Sequence, residues 1–383
     1  MQRIVVVGNG IAGLTACDSL RAAGFDGELT VIGAEHHAPY SRPALSKAAL
    51  LEGETMTAHQ LPAPEHAATE ILGVSAMRLD PTRKRVLLDD GTQVPYDGLV
   101  IATGSRARRL SPGKPAELTL RTLEDAMELR RRLATQPTVI VVGGGALGME
   151  IASGCLDSGC EVTLVAPEAP MIHQLGPHLS EMFTIAAQRA GLTIVPAQAV
   201  GAWEDRGHAQ VALADGFVLE AELVISAVGD VPNVEWLTDS GLLTNGRLEV
   251  DSRGRLRPDI VAVGDVAVLP TSRGTRRIPL WTSAIEQSKV AATALLHGDE
   301  APELDLVPYF WTEQFGLTLK ASGHLPLDGA PEILAGDLLE NSALLRWAHE
   351  DGTGTAVALN HRIPIPRLRR LSSAAPAAAS AAA

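Results

Sequence analysis

Apolar residues along this chain collect in short unbroken runs, and two of those runs end on glycine clusters. Ile4 to Val7 leads into Gly8-Asn9-Gly10-Ile11-Ala12-Gly13, and Val139 to Val142 leads into Gly143-Gly144-Gly145-Ala146-Leu147-Gly148. A short, wholly apolar run bounded by turn residues reads as a strand buried on both faces. The segments after each glycine cluster keep apolar residues at helical spacing, which predicts helices over Ala12 to Ala23 and Ala146 to Asp157. A second strand follows each helix, Glu28 to Ile32 and Glu161 to Val165, and each of these units closes on a glutamate, Glu35 and Glu168. Strand, glycine turn, helix and strand thus occur twice with the same lengths and character, an internal repeat of one supersecondary unit.

The pattern continues in the same paired manner. Asp97 to Gly104 is a buried strand running into a glycine turn, followed by a loop around Ser111-Pro112-Gly113, and Ala221 to Gly229 repeats the strand and its turn after the second unit. Arg257 to Asp265 predicts a strand closing on Gly-Asp, and a helix follows from Trp281 to His297. From Leu304 the segments alternate as β-strands do, with turns at Gly323, Gly329 and Gly352. A chain that leaves a first domain, builds a second and returns accounts for this order. The stretch from Ser372 is alanine-rich and of low complexity, so we expect residues 372–383 to be a disordered tail.

Composition narrows the class. A length of 383 residues with 46% hydrophobic content supports two or three domains with real cores. The formal net charge of -13 argues against a nucleic-acid binder, because neutralising phosphates needs a basic surface. Met1 leads straight into the first strand, and no apolar run reaches the length of a membrane span, so a cytoplasmic enzyme is the simplest reading. Three cysteines, Cys17, Cys155 and Cys160, offer neither a disulfide framework nor zinc spacing. Cys155 and Cys160 lie within or just after the second glycine-unit helix, and are read as buried thiols.

Two glycine clusters, each set between strand and helix, imply two dinucleotides in one polypeptide, with pyrophosphates at helix N-termini where backbone amides point outward. Around them stand Pro39 to Lys47 (Pro-Tyr-Ser-Arg-Pro-Ala-Leu-Ser-Lys), Ala102-Thr103-Gly104, Leu120 to Ala126, Gly264-Asp265 and Pro308 to Gln314 (Pro-Tyr-Phe-Trp-Thr-Glu-Gln). On these residues the chain resembles the flavin-dependent ferredoxin reductases of the putidaredoxin reductase and aromatic-ring dioxygenase reductase type, within the pyridine nucleotide-disulfide oxidoreductase superfamily. The resemblance covers nearly the whole length. It implies an α/β fold with two Rossmann-like, glutathione-reductase-like dinucleotide-binding domains and a small C-terminal α+β domain. The expected division is 1–112 with 246–303 for FAD, 113–245 for NAD, and 304–371 for the C-terminal interface domain.

The resemblance also distributes roles. Gly8, Gly10, Ala12, Gly13, Glu35, Arg42, Lys47, Ala76, Ala102, Thr103, Gly104, Arg121, Asp265 and Trp281 are expected around FAD. Glu35, 22 residues after Gly13, sits where a carboxylate takes the adenosine ribose, and Asp265 is expected on the ribityl chain. Gly143, Gly145, Leu147, Gly148, Glu150, Glu168 and Gly229 are expected around NADH. Lys47, Glu150 and Trp281 carry the catalytic expectation, Lys47 as a fixed positive charge beside the flavin. Trp281, Tyr309, Phe310 and Trp311 are expected to form an aromatic wall for it.

Two departures stand out: Ala166 occupies the place where NADH-using relatives carry an acid, with Glu168 two residues later, and Pro279 replaces a frequent Glu. The closing helices also look shortened beyond Ala358 to Pro364. No Arg or Lys lies between Ala166 and Gln174, which favours NADH over NADPH.

Disulfide reductases of similar fold place two cysteines where this chain has Ser41-Arg-Pro-Ala-Leu-Ser-Lys47, so electrons must leave for an external acceptor. The expected acceptor is a transiently bound [2Fe-2S] ferredoxin serving a cytochrome P450 or a ring-hydroxylating oxygenase, with the reductase a monomer or homodimer. Arg362, Arg367, Arg369 and Arg370, and a second patch of Arg106, Arg108 and Arg109, are the basic docking candidates. A rubredoxin reductase, an NADH oxidase and a flavoprotein that signals by binding partners are the alternatives.

Overall fold

A computed structural model describes residues 1–47, 59–63, 65–111, 116–350 and 352–373. The expected domain boundary at 112/113, the loop residues Pro112 and Gly113, and all of the alanine-rich tail beyond Ser373 lie outside the described residues. The chain divides into two compact units, Met1–Ser41 with His59–Arg106 and Val231–Leu306, and Arg42–Ala58 with Ala107–Asp230 and Val307–Ala383.

The first unit is built on a six-stranded sheet in the spatial order Arg255–Arg257, Ile260–Ala262, Gly98–Ile101, Arg3–Val7, Glu28–Gly33, Thr69–Leu72. All its pairings are parallel except that of Arg255–Arg257 at one edge. Parallel strands are covered on both faces, and the alternation of side chains along Arg3–Val7 shows how. Ile4 and Val6 enter a core with Ala16, Cys17, Leu20, Ala291 and Leu295, from the helices Ile11–Ala22 and Trp281–His297. Val5 and Val7 enter a separate core on the opposite face, with Leu79, Val86, Tyr96, Leu237 and Leu248.

The second unit repeats the plan on a four-stranded parallel sheet, in the order Thr193–Pro196, Glu161–Ala166, Thr138–Val142, Leu223–Ser226. An antiparallel sheet of Ala199–Asp205, His208–Leu213 and Val218–Ala221 covers one face, with Ala202, Val211 and Leu213 packed on Ile140, Val142 and Val224. The β-strands expected from Leu304 onward form a five-stranded sheet in the order Tyr309–Gln314, Leu317–Ser322, Gly354–Leu359, Ser342–Ala348, Glu332–Asp337. All its pairings are antiparallel. The closing helix, Ile365–Ser373, packs Leu368 into the core of this sheet and takes in Ser372 and Ser373, the first residues of the expected tail.

Tyr309, Phe310 and Trp311 divide between the two faces of one strand. Alternation along Tyr309–Gln314 sends Tyr309 into the core with Leu344, Ile363 and Leu368. Trp311 lies beside it, with ring centroids 5.9 Å apart. Phe310 and Thr312 take the opposite face. Tyr309 is therefore core of the C-terminal sheet, with Trp311 partly buried against it, and the period of two in a strand puts Phe310 on the other face.

Candidate functional sites

In the first unit the strand Arg3–Val7 ends in a turn that glycine makes possible. Gly8 has φ +117, and a Cβ there would lie 2.1 Å from the Ala102 carbonyl oxygen. A Cβ on Gly13 would lie 1.8 Å from the Gly8 carbonyl oxygen, so these two glycines are demanded by the chain's own packing. Gly10 is different. It caps the helix Ile11–Ala22 in an extended conformation, with no side-chain cap and no acid in the first turn. A Cβ on Gly10 would have no atom of the described residues within 4 Å. The first-turn amides thus face open space, which is the condition for an anion at a helix N-terminus. Beside them the Asn9 side-chain amide nitrogen is buried with no hydrogen-bond partner among the described residues. An unsatisfied buried donor next to an uncapped helix end fits a bound pyrophosphate, and the cradle fits FAD on that ground.

Glu35, past the end of Glu28–Gly33, accepts a 2.5 Å hydrogen bond from the Tyr40 hydroxyl. Ala12 lies in the first turn of the helix, its Cβ 3.1 Å from where a Gly264 Cβ would be. Thr103 is clasped to Asn233: its hydroxyl donates to the Asn233 carbonyl (2.9 Å), and the Asn233 side chain donates back to the Thr103 carbonyl (2.9 Å). The Asn233 amide meets the Gly104 carbonyl at 3.0 Å. Asp265 sits in the single turn Gly264–Val266 rather than capping a long helix. Its carboxylate accepts from the Ser105 hydroxyl at 3.4 Å, and its carbonyl accepts from the Arg277 guanidinium at 2.6 Å. Trp281 opens the helix Trp281–His297, and Ala76 begins the strand Ala76–Asp80, packed against the core.

The second unit repeats the cradle. Gly143 has φ +114 with its absent Cβ 2.3 Å from the Ala227 carbonyl oxygen, and a Gly148 Cβ would lie 1.9 Å from the Gly143 carbonyl oxygen. Gly145, the counterpart of Gly10, would meet only the Gln174 side-chain amide, at 3.2 Å. Leu147 is partly exposed in the first helical turn, and the Gly229 carbonyl accepts from the Arg108 amide at 2.9 Å. The loop after Glu161–Ala166 lies over the glycine turn: the Met171 amide donates to the Gly144 carbonyl at 2.7 Å. A Gly144 Cβ would lie 2.9 Å from the Ala166 Cβ, a close fit for the small residue that stands where an acid was expected. Glu168 is on this loop, exposed, with its carboxylate 2.7 Å from the His173 ring Nε2. An exposed pair contributes little and exchanges partners readily, so Glu168 is available to a ribose hydroxyl.

Glu150, on the helix Ala146–Asp157, is buried at 7% exposure and gathers donors at both carboxylate oxygens. Lys47 reaches Oε2 at 2.8 Å and the Ser46 hydroxyl reaches the same oxygen at 2.5 Å. The Thr312 hydroxyl donates to Oε1 at 2.7 Å. A buried carboxylate is retained only when paired and hydrogen-bonded, and here both conditions are met. Lys47 is held a second time by the Pro43 carbonyl at 3.2 Å. Arg42 donates to the Arg121 carbonyl at 2.9 Å, and the Arg121 amide donates to Asp125, whose carboxylate also closes the capping box with Thr122.

Lys47 and Glu150, far apart in sequence, are thus brought into contact, whereas Glu168 stays on the surface. Ser46, Thr312, Asn233 and Arg277 are positioning groups that sequence reading passed over. Ser46 and Thr312 lay inside the two motifs quoted above, where lysine and the aromatics drew attention. Asn233 and Arg277 carried no local signal. The cysteines are as expected, all free and buried, and burial raises the Cys17 and Cys155 thiols well above the ordinary cysteine range and raises Cys160 as well. Of the arginine patches, Arg362, Arg367, Arg369 and Arg370 are exposed at the C-terminal helix. Arg106 instead forks onto Glu235 at 2.6 and 3.1 Å, and Arg109 reaches the Glu117 carbonyl at 3.4 Å.

Comparison with known proteins adds context to these sites. The family model described as pyridine nucleotide-disulphide oxidoreductase matches residues 2–288. The chain is 30% identical to the 3-phenylpropionate/cinnamic acid dioxygenase ferredoxin–NAD(+) reductase component of Photorhabdus laumondii, over 97% of this chain and 96% of that one. It is 34% identical to the benzene 1,2-dioxygenase system ferredoxin–NAD(+) reductase subunit of Pseudomonas putida, over 90% of this chain and 86% of the relative. Among solved structures, the covalent putidaredoxin reductase–putidaredoxin complex aligns with a TM-score of 0.86 and 28% identity, over 97% of this chain and 92% of that one.

Proposed function

Because the chain belongs to the pyridine nucleotide-disulphide oxidoreductase family, we propose that it is an NADH-dependent flavoprotein reductase that delivers electrons to a [2Fe-2S] ferredoxin of a P450 or ring-hydroxylating oxygenase system. The observation that carries this reading is the pair of glycine cradles, where a Cβ on Gly10 would meet no described atom within 4 Å and one on Gly145 would meet a single side-chain atom, Gln174 Nε2 at 3.2 Å. FAD would be held by the first cradle, with Glu35 toward the ribose and Asp265, steadied by Ser105 and Arg277, toward the ribityl hydroxyls. NADH would be held by the second, with Glu168 toward its ribose. Bound FAD supplies the chemistry of a hydride acceptor that gives up electrons one at a time.

The protein's own groups prepare this chemistry. The first-turn amides of each helix offer donors to phosphate oxygens. Lys47 and Glu150 keep a buried, charge-balanced pair beside the second cradle's helix, where the cation favours negative charge arriving with hydride. The inert thiols and the sulfur-free run Ser41 to Lys47 support an external electron acceptor over a dithiol relay. Free thiols also support a reducing, cytoplasmic setting. The exposed Arg362, Arg367, Arg369 and Arg370 offer a basic surface on an otherwise acidic protein, suited to steering a small acidic partner.

Anaerobic stopped-flow reduction tests the reading: NADH should bleach the flavin faster than NADPH, and the reduced protein should then pass electrons to a [2Fe-2S] ferredoxin. If neither nucleotide bleaches the flavin, the assignment fails. Charge reversal of the C-terminal arginines should raise the KM for ferredoxin and leave ferricyanide reduction unchanged.

A further inference from the structure

We propose that Thr312 is a positioning residue that fixes the Glu150 carboxylate for nicotinamide chemistry, and that Gln314 ties this orientation to the glycine turn that receives the dinucleotide. The inference rests on the reading that the second unit binds NADH.

The hydrogen bonds run in one direction. The Gln314 side-chain amide donates to the Thr312 hydroxyl oxygen at 2.8 Å, which leaves the Thr312 proton for Glu150 Oε1 at 2.7 Å. The other oxygen, Oε2, is taken by Ser46 and Lys47. A carboxylate anchored at both ends has its plane set, and Thr312 supplies the anchor at Oε1. Thr312, Gln314 and Glu150 are 0%, 4% and 7% exposed, so water is in no position to replace a missing donor. Thr312 and Gln314 share one face of the strand Tyr309–Gln314. The next residue locks that strand end to the Glu150 helix, because the Phe315 amide donates to the Ser153 hydroxyl at 2.9 Å.

Gln314 also reaches the other way. The same amide nitrogen lies 3.2 Å from the Met171 thioether sulfur. Met171 in turn donates its backbone amide to the Gly144 carbonyl at 2.7 Å. Met171 has φ +61, a conformation that a non-glycine residue keeps only when its surroundings hold it. The Gln314 contact and the Gly144 hydrogen bond are two such holds. A contiguous buried path therefore leads from the phosphate-binding turn through Met171, Gln314 and Thr312 to Glu150, all within one unit. Seating a dinucleotide on the turn and aiming the carboxylate become linked events.

The test uses the full-length flavoprotein with Thr312→Val, Thr312→Ser and Gln314→Leu. Flavin reduction by NADH is followed by anaerobic stopped-flow, and NAD+ binding to the oxidised protein is measured separately by calorimetry. Thr312→Val keeps the shape and loses the donor, and should lower the limiting reduction rate about tenfold with the NAD+ Kd changed less than about twofold. Thr312→Ser should recover the rate to within about threefold. Gln314→Leu should weaken NAD+ binding about fivefold, because the hold on Met171 is lost. In a Glu150→Gln background the Thr312→Val effect should shrink to less than about twofold.

A Thr312→Val protein with the wild-type rate, a Thr312→Ser protein as slow as Thr312→Val, or full additivity with Glu150→Gln would overturn the proposal. Should Thr312→Val lose its flavin, Thr312→Ala, which leaves space beside the carboxylate instead of a methyl group, carries the same expectation and the same refutation. Failure of NADH to reduce the wild-type protein would instead sink the underlying reading, and the two failures are told apart by that control.

Discussion

Gly10→Ala separates a residue that serves the ligand from one that serves the fold. The added methyl would have no atom of the described residues within 4 Å, and the native backbone at Gly10, φ -91 and ψ -169, is open to alanine. Exchanging glycine for alanine at a helix N-cap costs about 0.5–1 kcal/mol, so the apoprotein should melt within a few degrees of wild type. The methyl does project into the space before the first-turn amides, and displacing a phosphate from one or two charge-assisted hydrogen bonds costs about 3 kcal/mol. That corresponds to roughly a hundredfold weaker FAD binding.

Gly13→Ala supplies the contrast, since its methyl would sit 1.8 Å from the Gly8 carbonyl oxygen and must displace backbone. It should lower stability and flavin content together. The assay pairs reconstitution of the deflavinated protein with FAD, read by absorbance near 450 nm or calorimetry, with a thermal melt of the apoprotein. The reasoning is refuted if folded Gly10→Ala retains FAD as wild type does, or if its apoprotein is as unstable as Gly13→Ala.

Other consequences are open to measurement. Lys47→Met leaves the buried Glu150 with Ser46 and Thr312 as its remaining donors, and should cost about 2–4 kcal/mol in urea unfolding. Lys84→Met breaks the more exposed pair with Asp259 and should cost about 1 kcal/mol or less, so equal costs would argue against the burial argument. The Arg3 guanidinium, with the Gln2 and Arg3 backbone amides, holds the Asp97 carboxyl down at about 2. That clamp on the first strand contributes stability above the unfolded value of about 4 and loses it as the pH falls through about 2. Asp97→Asn should therefore flatten the stability profile over that window, and an unchanged profile would refute the assignment. Burial keeps all three thiols protonated, so a thiol-specific chromogenic reagent should label none in the native protein and three after denaturation. Rapid labelling of any thiol in the native, active protein would count against a sulfur-free route for electrons.

The repeated strand–glycine–helix units were legible because their causes are local. A glycine at Gly8 or Gly143 is required by a turn whose partners lie within one βαβ unit and the strand beside it, and Val or Ile runs declare strands covered on both faces. The helices Ala146–Asp157 and Trp281–His297 have the ends expected from their apolar spacing and from the glycines that follow. A quoted motif marked Lys47, and the resemblance marked Glu150, each by itself.

Contact between those two residues had no sequence signature, because residues 103 positions apart meet only once the chain has folded back on itself. The same holds for Thr312, which arrives at Glu150 from a sheet near the other end of the chain, and for Asn233, which closes on Thr103 across 130 positions. The aromatic segment shows the limit from the other side. Composition grouped Tyr309, Phe310 and Trp311, and the two-residue period of a strand set Phe310 apart from its neighbours. By itself the sequence determined the two glycine turns and the lack of cysteine in the run Ser41 to Lys47. Only the tertiary structure decided which polar groups satisfy the buried carboxylate, since a buried charge takes its donors from whatever segments the fold brings within 3 Å.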